Sequence, residues 1–142
     1  MLKFLDTANF KIMRKNLDVL TQRMNVTAQN ISNVNTPHYK AKKLEFENIL
    51  QKKIENSDKY YSWRLRDKNS GDKRQKMLNL IDSAEPELVT DNKTETRVDG
   101  NNVDIDHENL EMAKIQLQYN FMIRKITDEY NLLKHAVTEG KG

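Results

Sequence analysis

The stretch "QNISNVNTPHYKAKK", Gln29 to Lys43, decides how this chain is read. Asparagines stand at 30, 33 and 35, Thr36-Pro37 follows, and the chain then turns basic. Proline pushes the residue before it toward extended backbone. Thr36 therefore leaves helical geometry, and a helix arriving from the N-terminal side ends by about Asn35. Such a helix is written clearly upstream. Phe10, Met13, Leu17, Leu20, Met24, Thr27, Ile31 and Val34 alternate spacings of three and four, a heptad seam. Leu5, Ile12, Val19 and Val26 repeat every seven residues on another side of the same helix. One seam suits a partner helix within the chain; the second needs a cover of its own.

The far end of the chain repeats the pattern. Met112, Ile115, Tyr119, Met122, Ile126, Glu129, Leu133 and Ala136 keep the alternation with one polar interruption, and Ile123, Tyr130 and Val137 form a further seven-residue series. Asp104 or Asp106 supplies an N-cap, and Glu108 suits the positive first turn. The sequence thus predicts a mainly α fold, with long N- and C-terminal helices (1–35 and 106–138) paired as a coiled-coil-like hairpin. Between them an irregular, partly β or disordered middle segment spans 36–105, all within one unit, 1–142. Phe46, Ile49, Leu50 and Ile54 predict a short helix in that segment. Residues 56–76 read as mobile, being dominated by Lys and Arg, although Tyr60, Tyr61 and Trp63 are out of character there. Residues 77–100 predict a short hairpin around Asp99-Gly100. Apolar stripes on two sides of each long helix favour an oligomer or filament. The competing expectation is a closed monomer whose middle segment folds over the second stripe.

Composition narrows the function. The chain has no cysteine, which excludes disulfides, thiolate metal sites and cysteine catalysis. Its four glycines form no phosphate loop, its three histidines have no zinc spacing, and "DGNNVDID" fails the calcium-loop pattern. No catalytic, cofactor-binding or metal residue is therefore assigned. The charged start of the sequence leads to the expectation of no cleavable leader, and with no run of about 20 apolar residues no direct membrane insertion is expected. The net charge of +3 conceals opposed halves. Residues 1–81 carry 17 Lys and Arg against 8 Asp and Glu, and the remainder is acidic. Opposed halves favour self-association over a nucleic-acid face. The basic run Lys68 to Lys76 lacks a recognition helix and reads as a solvated loop, so no nucleic-acid partner is expected.

"NISNVNTPHYKAKKLEFENIL" resembles the N-terminal signature of bacterial flagellar rod and hook proteins, an Asn-rich helix end followed by Thr-Pro-Gly-Tyr-Lys. Asn30, Ile31, Asn33, Thr36, Pro37, Tyr39 and Lys40 match it, and His38 stands where the motif has glycine. "RVDGNNVDIDHENLEMAKIQLQYNFMIRKI" resembles the C-terminal signature of proximal-rod members, through Asp99, Gly100, Asn101, Val103 and Asp104. The resemblance implies a structural subunit of the basal-body rod rather than an enzyme. It would be exported uncleaved by the flagellar type III apparatus and would self-assemble to carry torque from the membrane ring to the distal rod and hook. Implied partners are other copies, sister rod proteins of the FlgC type, the adaptor FliE and the ring protein FliF. Asn30, Asn33 and Asn35 are then expected to close the first helix, and Thr36-Pro37 to launch an arm toward a neighbouring subunit. The free monomer is expected to be partly unfolded. Alternatives are a FlgC-type sister protein, or a helical adaptor or export chaperone that never polymerises.

Overall fold

A computed structural model describes residues 8–61, 75, 78–92 and 97–139. Helix α1 spans Ala8–Ser32, strand β1 Lys42–Glu45, helix α2 Glu47–Tyr61, strand β2 Glu87–Thr90 and helix α3 Ile105–Glu139. Leu5 and the basic run from Lys68 lie outside the described residues, residue 75 excepted, as does Trp63.

The two long helices pack on each other antiparallel, since Asn30 near the end of α1 bonds Glu108 at the start of α3. Their contact is the predicted heptad seam. Met13 and Leu20 are buried from α1 and Ile115 from α3. Phe10, Leu17, Met24 and Ile31 are half-buried, as are Met112, Tyr119, Met122, Ile126 and Leu133. At 1.5 Å per residue α3 is about 52 Å long, and it overhangs the described start of α1.

The second seam of α1 is covered from within the chain. Val19 is buried against Leu44, Phe46 and Ala84, with Leu50 of α2 closing the cluster, while Ile12 and Val26 stay half-buried on its flanks. The middle segment thus folds back over α1, as the closed-monomer expectation required. The extended arm implied by Thr36-Pro37 does not project. The chain turns at 36–39 and returns as β1 along its own helix.

Two further expectations are corrected. Residues 56–61 are helical, because α2 continues through Tyr61. Among the described residues of 77–100 no hairpin closes: residues 78–82 are helical, and β2 pairs antiparallel with distant β1, Lys42 opposite Thr90 and Glu45 opposite Glu87. The Asp99-Gly100 pair makes a turn instead, with Gly100 at φ +75°.

The asparagine junction and exposed helix faces as candidate functional site

The motif residues converge where α1 ends, β1 begins and α3 starts. Asn30, 1% exposed, uses its whole amide. Its Nδ2 donates to the Lys42 carbonyl at 2.8 Å and to Glu108 Oε1 at 3.0 Å. Its Oδ1 accepts from Lys42 N at 3.0 Å and from the Tyr39 hydroxyl at 3.3 Å. The side chain therefore serves β1 as a neighbouring strand would, and it faces inward instead of capping its own helix. Burial raises the Glu108 carboxyl above its ordinary pKa, and burial with nearby Glu108 raises the Tyr39 hydroxyl.

Capping comes from across the chain. Asn101, fully buried, donates Nδ2 to the carbonyls of Asn33, Val34 and Thr36 at 2.9, 3.1 and 2.8 Å. Such carbonyls are left over wherever a helix stops. Its Oδ1 accepts from Val103 N at 2.7 Å, which fixes the approach to α3. Arg97 Nη1 adds a second donor to Val34 O at 2.8 Å. Of the three asparagines expected to close α1, Asn33 does so, through Nδ2 to Gln29 O at 2.8 Å; Asn35 is exposed. Asp104 is the N-cap of α3, accepting from Asp106 N and His107 N at 3.0 and 3.2 Å.

The Thr-Pro-His-Tyr turn explains its own composition. Tyr39 N bonds Thr36 O at 3.3 Å, Pro37 holds the second position, and His38 has φ +59° at the third. That is the pattern of a type II turn, which wants proline then glycine. His38 accepts the left-handed backbone that the motif assigns to glycine, and its N–H is held by Asp99 O at 3.0 Å. Thr36 and Pro37 are themselves exposed, whereas Tyr39, Asp99 and Gly100 are half-buried and Val103 is buried.

Two features escaped the sequence reading. Asn102 Oδ1 accepts from Ala41 N at 2.6 Å, and its Nδ2 donates to Asp91 O at 2.8 Å, so it extends the β1–β2 ladder by one rung. The doubled Asn101-Asn102 was its only signal. The second is an outer stripe on α3: Leu110, Leu117, Phe121 and Leu132 are 66–71% exposed. Their spacings of seven, four and eleven place them on one helix face. Ile123, Tyr130 and Val137, the predicted second series, are also exposed on another side. Phe121 forms the lip of an open groove of about 200 Å³ floored by Val19, Leu20 and Met122. Arg23 bridges the groove's far wall, paired with Glu47 and donating to Leu44 O at 3.4 Å. That pairing lowers the Glu47 carboxyl, against a smaller opposing effect of burial.

Among the described residues no three His, Asp or Glu side chains gather as a metal site, and no helix is long and apolar enough to cross a membrane. What remains is a helical hairpin, a polar vertex and uncovered apolar faces, which is the equipment of a structural subunit.

Comparison with known proteins specifies the class. Residues 17–40 match the model of the flagella basal body rod protein family. The chain is 34% identical over 119 residues to the flagellar basal body rod protein FlgB of Bacillus subtilis, covering 84% of each. It is 35% identical over 106 residues to FlgB of Borreliella burgdorferi, covering 75% of this chain and 78% of that one. FlgB of Buchnera aphidicola is 28% identical over 128 residues, 90% and 92% of the two chains. The chain belongs to the flagellar basal body rod proteins, as a structural subunit of the rod. Within that family its kinship is with FlgB.

Proposed function

We propose that residues 1–142 act as one unit that assembles with other flagellar rod proteins through the apolar faces of its long helices. The observation that carries this is the outer stripe of α3, with Leu110, Leu117, Phe121 and Leu132 each 66% exposed or more. Burying a large apolar side chain contributes about 1.5–3 kcal/mol, so these four side chains hold a substantial reserve for association. Exposed apolar runs of this kind on a small chain are characteristically sites of protein contact.

On this reading the heptad-seam residues build the hairpin that presents the outer face, Val19 with Ile12 and Val26 beside it seats the middle segment on α1, and the asparagine junction holds the vertex. The work is mechanical, with torque passing through buried helix contacts and no bond chemistry. Sister rod proteins of the FlgC type, the adaptor FliE and the ring protein FliF are the neighbours the family resemblance points to, reached by flagellar type III export. Electron cryotomography of cells lacking the gene tests the assignment. Membrane rings without a rod, rescued by the restored gene but not by Phe121→Asp, are expected. Complete flagella in the deletion strain would overturn it.

A further inference from the structure

We propose that the outer stripe of α3 closes on the same stripe of a second copy of this chain, antiparallel about a two-fold axis at Phe121. The product is a self-limited dimer that covers the stripe until the subunit enters the rod. The inference rests on the rod reading and gives that face a partner outside the rod. Phe121 is the centre of a pattern. Leu110 and Leu132 stand eleven residues to either side of it, and Lys114 and Asp128 seven to either side. Eleven residues make about three helical turns and seven about two, so all five share one face, with Leu117 on its flank. Leu110, Phe121 and Leu132 are 66–67% exposed, the Lys114 side chain is 60% exposed, and Asp128 is exposed.

Antiparallel pairing of two such faces about Phe121 sets Leu110 against Leu132 at both ends and Lys114 against Asp128 inside them. The two matches are independent. The leucines alone fix the register, and the opposite charges then fall together within it. Among the described residues Asp128 makes no ion pair. Lys114 is held by Glu111 of its own helix at 3.1 Å, and its ammonium has three donors, so it takes a second carboxylate without releasing the first. Lys125 falls opposite Leu117, where its aliphatic stem covers the leucine while the charge stays in water. Arg124 falls opposite Gln118. The two Phe121 rings meet at the axis, and the groove beside each, floored by Val19, Leu20 and Met122, gives the opposing ring a place to insert.

Other pairings of the stripe lose these matches. A parallel pair in register sets Lys114 on Lys114 and Asp128 on Asp128, which like charge disfavours. Any other antiparallel register parts Leu110 from Leu132. A two-fold contact uses one patch on both copies and closes on itself, whereas a filament needs contacts that do not close. The dimer is therefore no fragment of the rod and competes with it for the same side chains. Its face is one helix wide and about 33 Å long from Leu110 to Leu132. A contact of that size belongs with the small interfaces, so it parts on dilution and yields to the rod.

Sedimentation velocity of the purified full chain over a range of concentrations tests the proposal. The expected result is a reversible equilibrium of monomer and dimer. Lys114→Glu and Asp128→Lys each set like charges across the axis twice and should weaken the dimer about tenfold or more. Both substitutions in one chain restore opposite charges and should bring the dimer back, and mixing the two single variants should give the heterodimer. Circular dichroism should show unchanged helix content in every variant, since both positions are exposed. A chain that stays monomeric up to about 1 mM, a dimer indifferent to the charge reversals, or a double variant no tighter than the singles would overturn the proposal. A swimming strain with the chain in its basal bodies would then leave the rod assignment standing. Absence of the chain from basal bodies would overturn both.

Discussion

Replacing Gly100 by alanine tests the vertex, because two separable penalties meet there. At φ +75° an alanine carries left-handed strain of about 1–2 kcal/mol. Its Cβ would also stand 2.9 Å from His38 Nδ1, closer than real Cβ contacts allow. The imidazole relieves that contact only by leaving its rotamer. Forced repacking of that kind adds about 1–3 kcal/mol, and the stiffer unfolded chain returns about 0.4–1 kcal/mol. Gly100→Ala should therefore lose about 1–4 kcal/mol in all. His38→Gly relieves the strain at φ +59° but loosens the unfolded chain, leaving a net change within about 1 kcal/mol of zero. In the double variant the clash partner is gone and only the backbone strain of the new alanine remains. The cycle should then show a favourable coupling of about 1 kcal/mol or more. Urea unfolding followed by circular dichroism reads this directly, a loss of about 2 kcal/mol lowering the midpoint by roughly 1 M at a common slope. Additivity to within about 0.5 kcal/mol, the behaviour of independent sites, would refute the contact between the two turns.

The other predictions follow from the same structure. Asn101→Ala leaves the carbonyls of Asn33, Val34 and Thr36 with one donor each, strands the Val103 N–H and should lose about 1–3 kcal/mol, measured by thermal unfolding; a change under about 0.5 kcal/mol would remove Asn101 as the cap. Glu108→Gln keeps the acceptor for Asn30 and removes the charge. Because the folded pKa of Glu108 is raised, its protonated form favours folding, and that contribution fades as pH rises through the folded value. The variant should gain on the natural chain as pH rises from the ordinary carboxylate range through the raised folded value, and a flat difference would refute the burial argument. Glu47 has the opposite sign: its lowered pKa supplies stability above the unfolded value that is lost as pH falls through the folded one, so Glu47→Gln should fall behind only toward neutral pH. Leu117→Asp should leave stability within about 0.5 kcal/mol of the natural chain while abolishing swimming; loss of both would make Leu117 a folding residue.

The helices are legible because their information is local and repeated. Alternating spacings from Phe10 to Val34 and from Met112 to Leu133 name both helices and the faces that meet. Thr36-Pro37 locates the turn for the same reason, proline acting on its immediate neighbour. The pairing of β1 with β2 is not legible. Its four-residue strands are joined over more than forty positions, and what fixes their register is the side-chain amides of Asn30 and Asn102. The direction in which an asparagine faces depends on three-dimensional surroundings. Asn30 and Asn33 stand three residues apart at one helix end, yet one reaches across to β1 and α3 and the other turns back on the helix's own carbonyls. The outer stripe of α3 is hidden for another reason: apolar residues on several sides leave no single dominant period.

Those two illegible features have a common physical basis. A chain that only had to fold could hold its vertex with apolar contacts alone and leave the outer face of α3 polar. Here the amides of Asn30, Asn101 and Asn102 fix the relative positions of α1, β1 and α3, contributing geometry through directional bonds where apolar contacts would permit sliding. Rigidity at the vertex has value only if something bears on it. On the proposed reading the uncovered faces of α3 are where neighbouring subunits bear, through non-directional burial. A rod that turns as one body needs both properties, cohesion from buried helix faces and a vertex within each subunit that does not slip. Loss of the helix face should therefore abolish the rod, whereas loosening the asparagine vertex should leave a rod that forms and yields under load.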